Sequence, residues 1–99
     1  MTEKAWQQQV LEVSTLCRWQ HFHVFDSRRS DPGWPDLVLV REPELLVAEL
    51  KTDRGRLTVE QARWLERLVA CGVEAHVWRP RDFDEMWQRL STGARIGRA

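Results

Sequence analysis

The sequence predicts an α/β domain, with elements in the order α-β-β-β-α-β-α and a mixed sheet covered by helices. Two observations lead to this order. Three segments carry apolar residues at the spacing of an amphipathic helix, and between them lie short runs rich in Val and Leu that are typical of strands. With 99 residues, 42% hydrophobic and 30% charged, the chain is expected to form one globular domain.

The first helix is predicted from a capping residue and an apolar stripe. Thr2 can cap it, and four apolar residues follow at spacings of four, three and four, namely Trp6, Val10, Val13 and Cys17. Residues 21–25 (HFHVF) have the pattern of a short strand. Residues 26–35, rich in Ser, Arg, Asp, Pro and Gly, indicate a loop.

Two further strands, residues 36–40 and 45–51, are expected to form a β-hairpin through a four-residue turn at 41–44. The near-continuous apolar character of the later strand predicts burial on both faces. Antiparallel pairing from this turn sets Val40 opposite Leu45. Further along the ladder it sets Asp36 opposite Glu49, on one face and with Cβ atoms about 5 Å apart.

The second half of the chain supplies the remaining helices and the last strand. Residues 52–56 form a charged loop, and Thr58 with Gln61 makes a capping-box pattern before a helix that Gly72 ends. Residues 74–78 are predicted to form a fourth strand, and Asp82 is expected to cap a final helix. We expect a single domain over residues 1–90 and a frayed tail over 91–99.

Composition excludes several classes of protein. No run of about eighteen apolar residues exists and the N-terminus is polar, so we expect no membrane segment and a location in the cytoplasm of a bacterial or phage-infected cell. Cys17 and Cys71 lack the spacing of a disulfide framework or a zinc site, and both are expected to be small buried hydrophobes.

The charge of the chain bears on nucleic-acid binding in two opposed ways. The formal net charge is zero, which counts against a nucleic-acid partner. Thirteen of the fifteen Lys and Arg residues are Arg, the side chain that binds phosphate with two parallel hydrogen bonds. Genomic base composition is an alternative explanation of this Arg bias.

The hairpin carries the residues with the most chemistry. Side chains alternate along a strand, so Glu49 and Lys51 share a face and join Asp36 there. Opposed carboxylates repel unless a cation compensates them, and Mg²⁺ prefers oxygen ligands at roughly 2.1 Å. The pattern therefore predicts a divalent-metal nuclease centre. The alternative is a solvated sheet edge at which these charges have no shared role.

The same residues resemble the VRR-NUC domain, the virus-type replication-repair branch of the PD-(D/E)XK nuclease superfamily. The likeness runs from Glu3 to about Leu90. It is carried by G-x-P-D, E-x-K and a helix Gln, within residues 27–40 (SRRSDPGWPDLVLV), 48–51 (AELK), 57–61 (LTVEQ), 64–65 (WL), 72–74 (GVE) and 77–80 (VWRP). The resemblance implies a restriction-endonuclease-like αβββαβ core with a mixed four-stranded sheet flanked by helices and an extra C-terminal helix.

The resemblance also implies a DNA endonuclease that depends on Mg²⁺ or Mn²⁺ and acts on branched or junction DNA in replication, repair or recombination. Asp36 and Glu49 match its metal ligands together with the Leu50 carbonyl, and Lys51 matches its catalytic lysine. Gln61 matches a glutamine near the site, although the capping box alone also explains it. Glu3 matches an acidic residue that completes the metal site, although a helix N-terminus favours a carboxylate anyway.

Partners follow from the same likeness and from the two loops beside the strands. Similar stand-alone members form homodimers, and six Trp residues are more than a small core easily hides. For DNA contact we single out four loop arginines, which could also be merely solvated: Arg28, Arg29, Arg54 and Arg56. Two other functions use the same residues, a DNA-binding or assembly module with little turnover and an enzyme that cleaves RNA.

Overall fold

A computed structural model describes residues 1–24 and 31–93. These residues form three α-helices and four strands in the predicted order. Their bounds are α1 (Glu3–Leu16), β1 (Gln20–His23), β2 (Leu37–Arg41), β3 (Glu44–Leu50), α2 (Val59–Ala70), β4 (Glu74–Trp78) and α3 (Phe83–Ser91), with a short 3-10 turn (Pro80–Asp82) before α3. None of the helices in these two ranges is long and apolar enough to cross a membrane.

The four strands lie in one sheet in the order β1-β2-β3-β4. β1 pairs with β2 and β2 with β3, both antiparallel, whereas β4 adds to β3 in parallel. The parallel pair requires a crossover, which α2 supplies. The predicted α/β fold with a mixed, helix-flanked sheet and a C-terminal helix is therefore confirmed, and it agrees with a restriction-endonuclease-like core.

The hydrophobic core lies between one face of the sheet and the helices α1 and α3. Twelve buried residues form it: Trp6, Val10, Val13, Trp19, Leu37, Leu39, Leu46, Ala48, Leu50, Trp78, Met86 and Leu90. The Trp6 indole N–H donates to the Trp78 carbonyl at 2.9 Å, and the Trp19 indole N–H donates to the Leu90 carbonyl at 2.9 Å. Half of the six Trp residues thus complete the core. α2 contacts β4 and has no buried residue of its own.

The hairpin register is as predicted, but the turn is shorter. Val40 pairs with Leu45 and Leu37 with Ala48, while Arg41 and Glu44 also pair with each other. The predicted four-residue turn was therefore wrong, because residues 42 and 43 alone make the connection, through a cis Glu42–Pro43 peptide. Shortening a turn by one residue on each side leaves every pair unchanged.

Two smaller expectations also need correction. Cys71 is exposed, because it forms the C-cap of α2 beyond the apolar stripe, and Cys17 is only half-buried. The Asp82 side chain makes no helix-capping hydrogen bond to α3. Its carboxylate instead accepts from the Arg79 backbone N–H at 2.9 Å and so holds the 3-10 turn.

Candidate metal centre

The carboxylate end of the hairpin lies just beyond its last pair. Leu37 and Ala48 close the β2–β3 ladder, and the next residue on each strand is Asp36 and Glu49. The Leu50 backbone N–H donates to Asp36 Oδ2 at 3.0 Å. The Asp36 carbonyl accepts from the Val24 N–H, also at 3.0 Å. Asp36 is therefore fixed on both sides, with its carboxylate beside Glu49 and Leu50.

Glu49 is a buried carboxylate with an incomplete set of partners. Its side chain is 2% exposed. Oε2 accepts a hydrogen bond from the Gln61 amide at 2.9 Å and lies 3.9 Å from Lys51 Nζ. Oε1 is buried and accepts no hydrogen bond from a donor group in the part of the chain that the structure describes, although the Asp36 side chain lies within hydrogen-bonding reach of the Glu49 carboxyl group. A buried carboxylate oxygen without a donor is costly while it is charged, and the Glu49 carboxyl group avoids that cost by holding a proton that it shares with Asp36.

The environment of Glu49 opposes its negative charge. Burial raises the pKa of Glu49, the charge of Asp36 raises it further, and Lys51 offsets only part, so that the pKa reaches about 8. Without a cation this carboxyl group holds its proton near neutral pH. A divalent ion at the orphaned oxygen would remove the reason for that proton.

The oxygen ligands of Asp36 and Glu49 fit Mg²⁺ better than a metal that needs four or more protein ligands. Among residues 1–24 and 31–93 no group of three His, Cys, Asp or Glu side chains is gathered closely enough to hold an ion. Asp36 and Glu49 supply carboxylate oxygens, and Mg²⁺ usually binds to one or two carboxylates while keeping waters and accepting phosphate oxygens. Two carboxylates with an open side match that chemistry.

Gln61 makes the predicted capping box and also contacts Glu49, so its position agrees with either of the alternatives that the sequence left open. Its side-chain Oε1 accepts from the Thr58 N–H at 2.8 Å, while the Thr58 hydroxyl accepts from the Gln61 N–H, so a full capping box begins α2. Its Nε2 donates to Glu49. One amide therefore fixes the start of α2 and orients the Glu49 carboxylate.

Glu3 lies in the first turn of α1 and is exposed. It lines a cavity of about 410 Å³ to which Asp36 and His23 also contribute. The N-terminus of α1 therefore borders the Asp36 side of the hairpin, but among the described residues Glu3 is not gathered with Asp36 and Glu49 into one three-carboxylate group. The N-terminal position in α1 is also the one that the helix dipole favours for a carboxylate.

The loop arginines could be compared with the prediction only in part. Arg54 and Arg56 are exposed in the segment between β3 and α2, next to Lys51. Arg28 and Arg29 lie outside the described residues. Arg54 and Arg56 thus follow the carboxyl end of β3 in the chain.

A contact between the segment before Asp36 and α2 was not predicted from the sequence. The Trp64 indole N–H donates to the Pro32 carbonyl at 3.0 Å, and the Trp64 and Trp34 rings meet edge to face at 5.0 Å. Gly33 has a φ of +88°, and a Cβ there would lie 2.5 Å from the Glu60 carbonyl carbon. The two tryptophans and this glycine were visible in the sequence, but their contact is long-range and left no local signal.

The fold and the hairpin together define a nuclease-type α/β domain, with two carboxylates and a lysine at the end of adjacent strands. The VRR-NUC domain model matches residues 3–82. Because that match covers most of the chain, the protein belongs to the VRR-NUC family. No curated protein and no solved structure matches the chain.

Proposed function

We propose that this protein is a divalent-metal-dependent DNA endonuclease, selective for branched or junction DNA in replication, repair or recombination. The observation that carries the proposal is Glu49. It is 2% exposed, lies beside a second carboxylate and has one buried oxygen that no donor group of the described residues serves. A fold with no catalytic role would gain stability by replacing such a group with an apolar one.

Mg²⁺ or Mn²⁺ is the proposed cofactor, held by Asp36, Glu49 and the Leu50 carbonyl, with Glu3 completing the set. When bound, such an ion lowers the pKa of water, orients the phosphodiester and stabilises developing negative charge. Gln61 keeps Glu49 aimed at one position through its 2.9 Å hydrogen bond. The fixed carboxylate geometry reduces the reorganisation required during phosphodiester hydrolysis.

Lys51 is proposed as the residue that acts on the reacting phosphate. Its ammonium group lies 3.9 Å from Glu49 Oε2, and its side chain is 13% exposed. A cation held at this distance, and shielded from bulk water, can position the attacking water or stabilise charge on the phosphoryl oxygens. Arg28, Arg29, Arg54 and Arg56 are the proposed contacts to the DNA backbone.

The protein is further proposed to act as a homodimer in the cytoplasm of a bacterial or phage-infected cell, where replicating DNA is found. Aromatic residues are enriched at protein interfaces, and Phe22 in β1 and Trp87 in α3 remain 62% and 42% exposed. Light scattering over a range of concentrations tests this part of the proposal. A monomer at every concentration would contradict it.

The activity is tested with a panel of labelled substrates in Mg²⁺, Mn²⁺ or EDTA. The panel contains a four-way junction, a flap, a nicked duplex, a single strand and an RNA. We expect metal-dependent cleavage that is fastest on branched DNA and falls about 100- to 1,000-fold, to a residual rate, in Glu49→Ala and Lys51→Ala. Cleavage that keeps its wild-type rate in both variants or persists in EDTA would overturn the mechanism.

Three other outcomes of the panel assign a different function. Preferential cleavage of RNA would make the protein a ribonuclease with the same centre. Tight binding of branched DNA without cleavage under any metal would make it a binding or assembly module. Equal cleavage of all DNA substrates would remove the selectivity for branched structures.

A further inference from the structure

The loop that follows β3 connects the proposed catalytic lysine to α2. It begins directly after Lys51 and turns at residues 52–55. The Gly55 N–H donates back to the Thr52 carbonyl at 3.2 Å and to the Thr52 hydroxyl at 3.0 Å. These bonds close the loop but do not attach it to the sheet.

Arg79, the residue after β4, attaches this loop to the sheet. Its Nη1 donates to the Thr52 carbonyl at 2.7 Å and to the Gly55 carbonyl at 2.5 Å, so one nitrogen binds both ends of the turn. The Arg79 backbone is itself fixed, because its N–H donates to Asp82. The guanidinium group therefore bridges from a rigid strand end to the loop.

The loop in turn contacts the Lys51 side chain. A Cβ built on Gly55 would lie 3.4 Å from Lys51 Cδ, which places Gly55 against the aliphatic stem of the lysine. The Lys51 backbone is held separately, by donation of its N–H to the Trp78 carbonyl at 3.1 Å. The Lys51 backbone is thus held by β4, and the loop contacts the Lys51 side chain instead. Gly55 lies against that side chain and limits the directions in which it can point.

We propose that Arg79 is a positioning residue, which holds Gly55 against Lys51 and so fixes the Lys51 ammonium group beside Glu49. The inference deepens the proposed nuclease function and rests on it. Arg81 also contacts the loop, but from an exposed position. Its N–H donates to the Asp53 carboxylate at 3.1 Å, and its Nη1 donates to the Asp53 carbonyl at 3.2 Å. Exposed contacts of this kind contribute little.

The first test does not require activity. The chain has two lysines, Lys4 and Lys51, so lysine-selective isotope labelling gives an NMR spectrum with two side-chain signals. In Arg79→Ala we expect the Lys51 signal to move, the Gly55 amide to exchange faster with solvent, and the Lys4 signal to stay. Arg67→Ala, which removes an exposed arginine from α2, is the matched control and should move neither signal.

The second test measures single-turnover cleavage. A displacement of about 1 Å in a catalytic group can cost roughly 100-fold in rate. We expect Arg79→Ala to lower the cleavage rate about 10- to 100-fold while DNA affinity changes less than about twofold, and Arg79→Lys to recover part of the loss. In a Lys51→Ala background the same change should cause no further loss, because the group that Arg79 positions is then absent.

Each result bears on the proposal. An unmoved Lys51 signal, or an unchanged cleavage rate in Arg79→Ala, would overturn it. An equal loss in the wild-type and Lys51→Ala backgrounds would also overturn it, since a general structural defect acts on both. If the wild-type protein cleaves nothing, the proposed nuclease function fails, and the two lysine signals alone decide whether Arg79 positions Lys51.

Discussion

Two glutamates at opposite ends of the β3–β4 pair experience opposite environments. Glu49, at the carboxyl end of β3, has its pKa raised to about 8 by burial and by the charge of Asp36. Glu74, at the start of β4, has its pKa lowered to about 2, chiefly by its hydrogen bonds to Arg89 and also by His76. Within the described chain, Lys51 does not offset the effects that raise the pKa of Glu49, whereas Arg89 is enough to keep Glu74 charged.

The partners of Glu74 explain the difference. Arg89 donates to both of its oxygens, at 2.6 and 2.9 Å, and also reaches Glu44 at 2.8 Å. His76 Nε2 lies 2.6 Å from Glu74 on another side. This cluster, Glu44, Glu74, His76 and Arg89, ties β3, β4 and α3 together. Glu74 is thus compensated by the protein itself, whereas the pKa of Glu49 stays raised because Lys51 offsets only part of the effect of burial and of Asp36.

The largest expected difference between the two glutamates is in activity. Glu49→Gln removes one proposed metal ligand without a change of shape, and we expect about a 100- to 1,000-fold loss of cleavage, since removal of a single electrostatic catalytic group commonly costs 10²–10³. Glu74→Gln is the matched control and should keep the wild-type rate per folded molecule. Single-turnover rates on the best substrate of the panel measure both. Similar losses of cleavage in the two variants would contradict the assignment of Glu49, and not Glu74, to the metal centre.

Metal binding should stabilise the protein through Glu49 and not through Glu74. A ligand at about 100 times its dissociation constant adds roughly 2.7 kcal/mol to the free energy of unfolding. We expect Mg²⁺ or Mn²⁺ to raise the melting temperature of the wild type and of Glu74→Gln. Glu49→Gln should show little change. A rise of the same size in Glu49→Gln would place the ion elsewhere.

The two glutamates should also give metal-free stability opposite slopes with pH. The native state keeps a proton on Glu49 between the ordinary pKa of 4.5 and about 8, while the unfolded chain releases it, so stability falls as pH rises through that range. Glu74 releases its proton in the native state between about 2 and 4.5, so stability falls as pH decreases there. Each slope is at most about 1.4 kcal/mol per pH unit.

Urea denaturation in EDTA at several pH values measures both slopes. Glu49→Gln should flatten the branch above pH 4.5, and Glu74→Gln should flatten the branch below it. Saturating metal should also abolish the decline above pH 4.5, because the metal-bound carboxylate carries no proton in the native state and the unfolded chain carries none there either. A wild-type profile without a decline above pH 4.5 would contradict the environment described for Glu49.

The smallest expected effect is on stability alone. Arg89→Met leaves Glu44 and Glu74 near each other without their shared cation, and we expect a loss of about 1–2 kcal/mol, reduced from the value of a fully buried pair because these side chains are 20–35% exposed. Cleavage per folded molecule should not change. Urea midpoints at neutral pH measure the loss of stability. A cleavage rate per folded molecule that falls as well would show that the Arg89 cluster also affects the Asp36–Glu49 site.

The hairpin end of the site could be predicted because it depends on local rules. Period-two alternation and a symmetric turn set Asp36 opposite Glu49, and the same register results from a turn of four residues or of two. The contacts of Arg79 and Trp64 could not be predicted in this way. Arg79 reaches Thr52 only because β4 adds to β3 in parallel, a long-range pairing with no signature in either strand.

Cys71 shows a second limit of the sequence. A small apolar residue one step beyond a helical stripe looks like the end of the core, yet it lies at the C-cap of a helix that has no buried residue. The other contacts of α2, from Trp64 to Pro32 and from Gln61 to Glu49, join residues far apart in the chain, so the apolar period does not reveal them.

The shared amide of Gln61 couples the site to the motion of a helix end. First turns of helices open and close far more readily than the rest of a fold. Each opening of the Thr58 capping box also releases the hydrogen bond to Glu49 Oε2. Warming should therefore disorder Glu49, the proposed catalytic carboxylate, before the sheet melts, so that the temperature at which activity is lost lies below the temperature at which the protein unfolds.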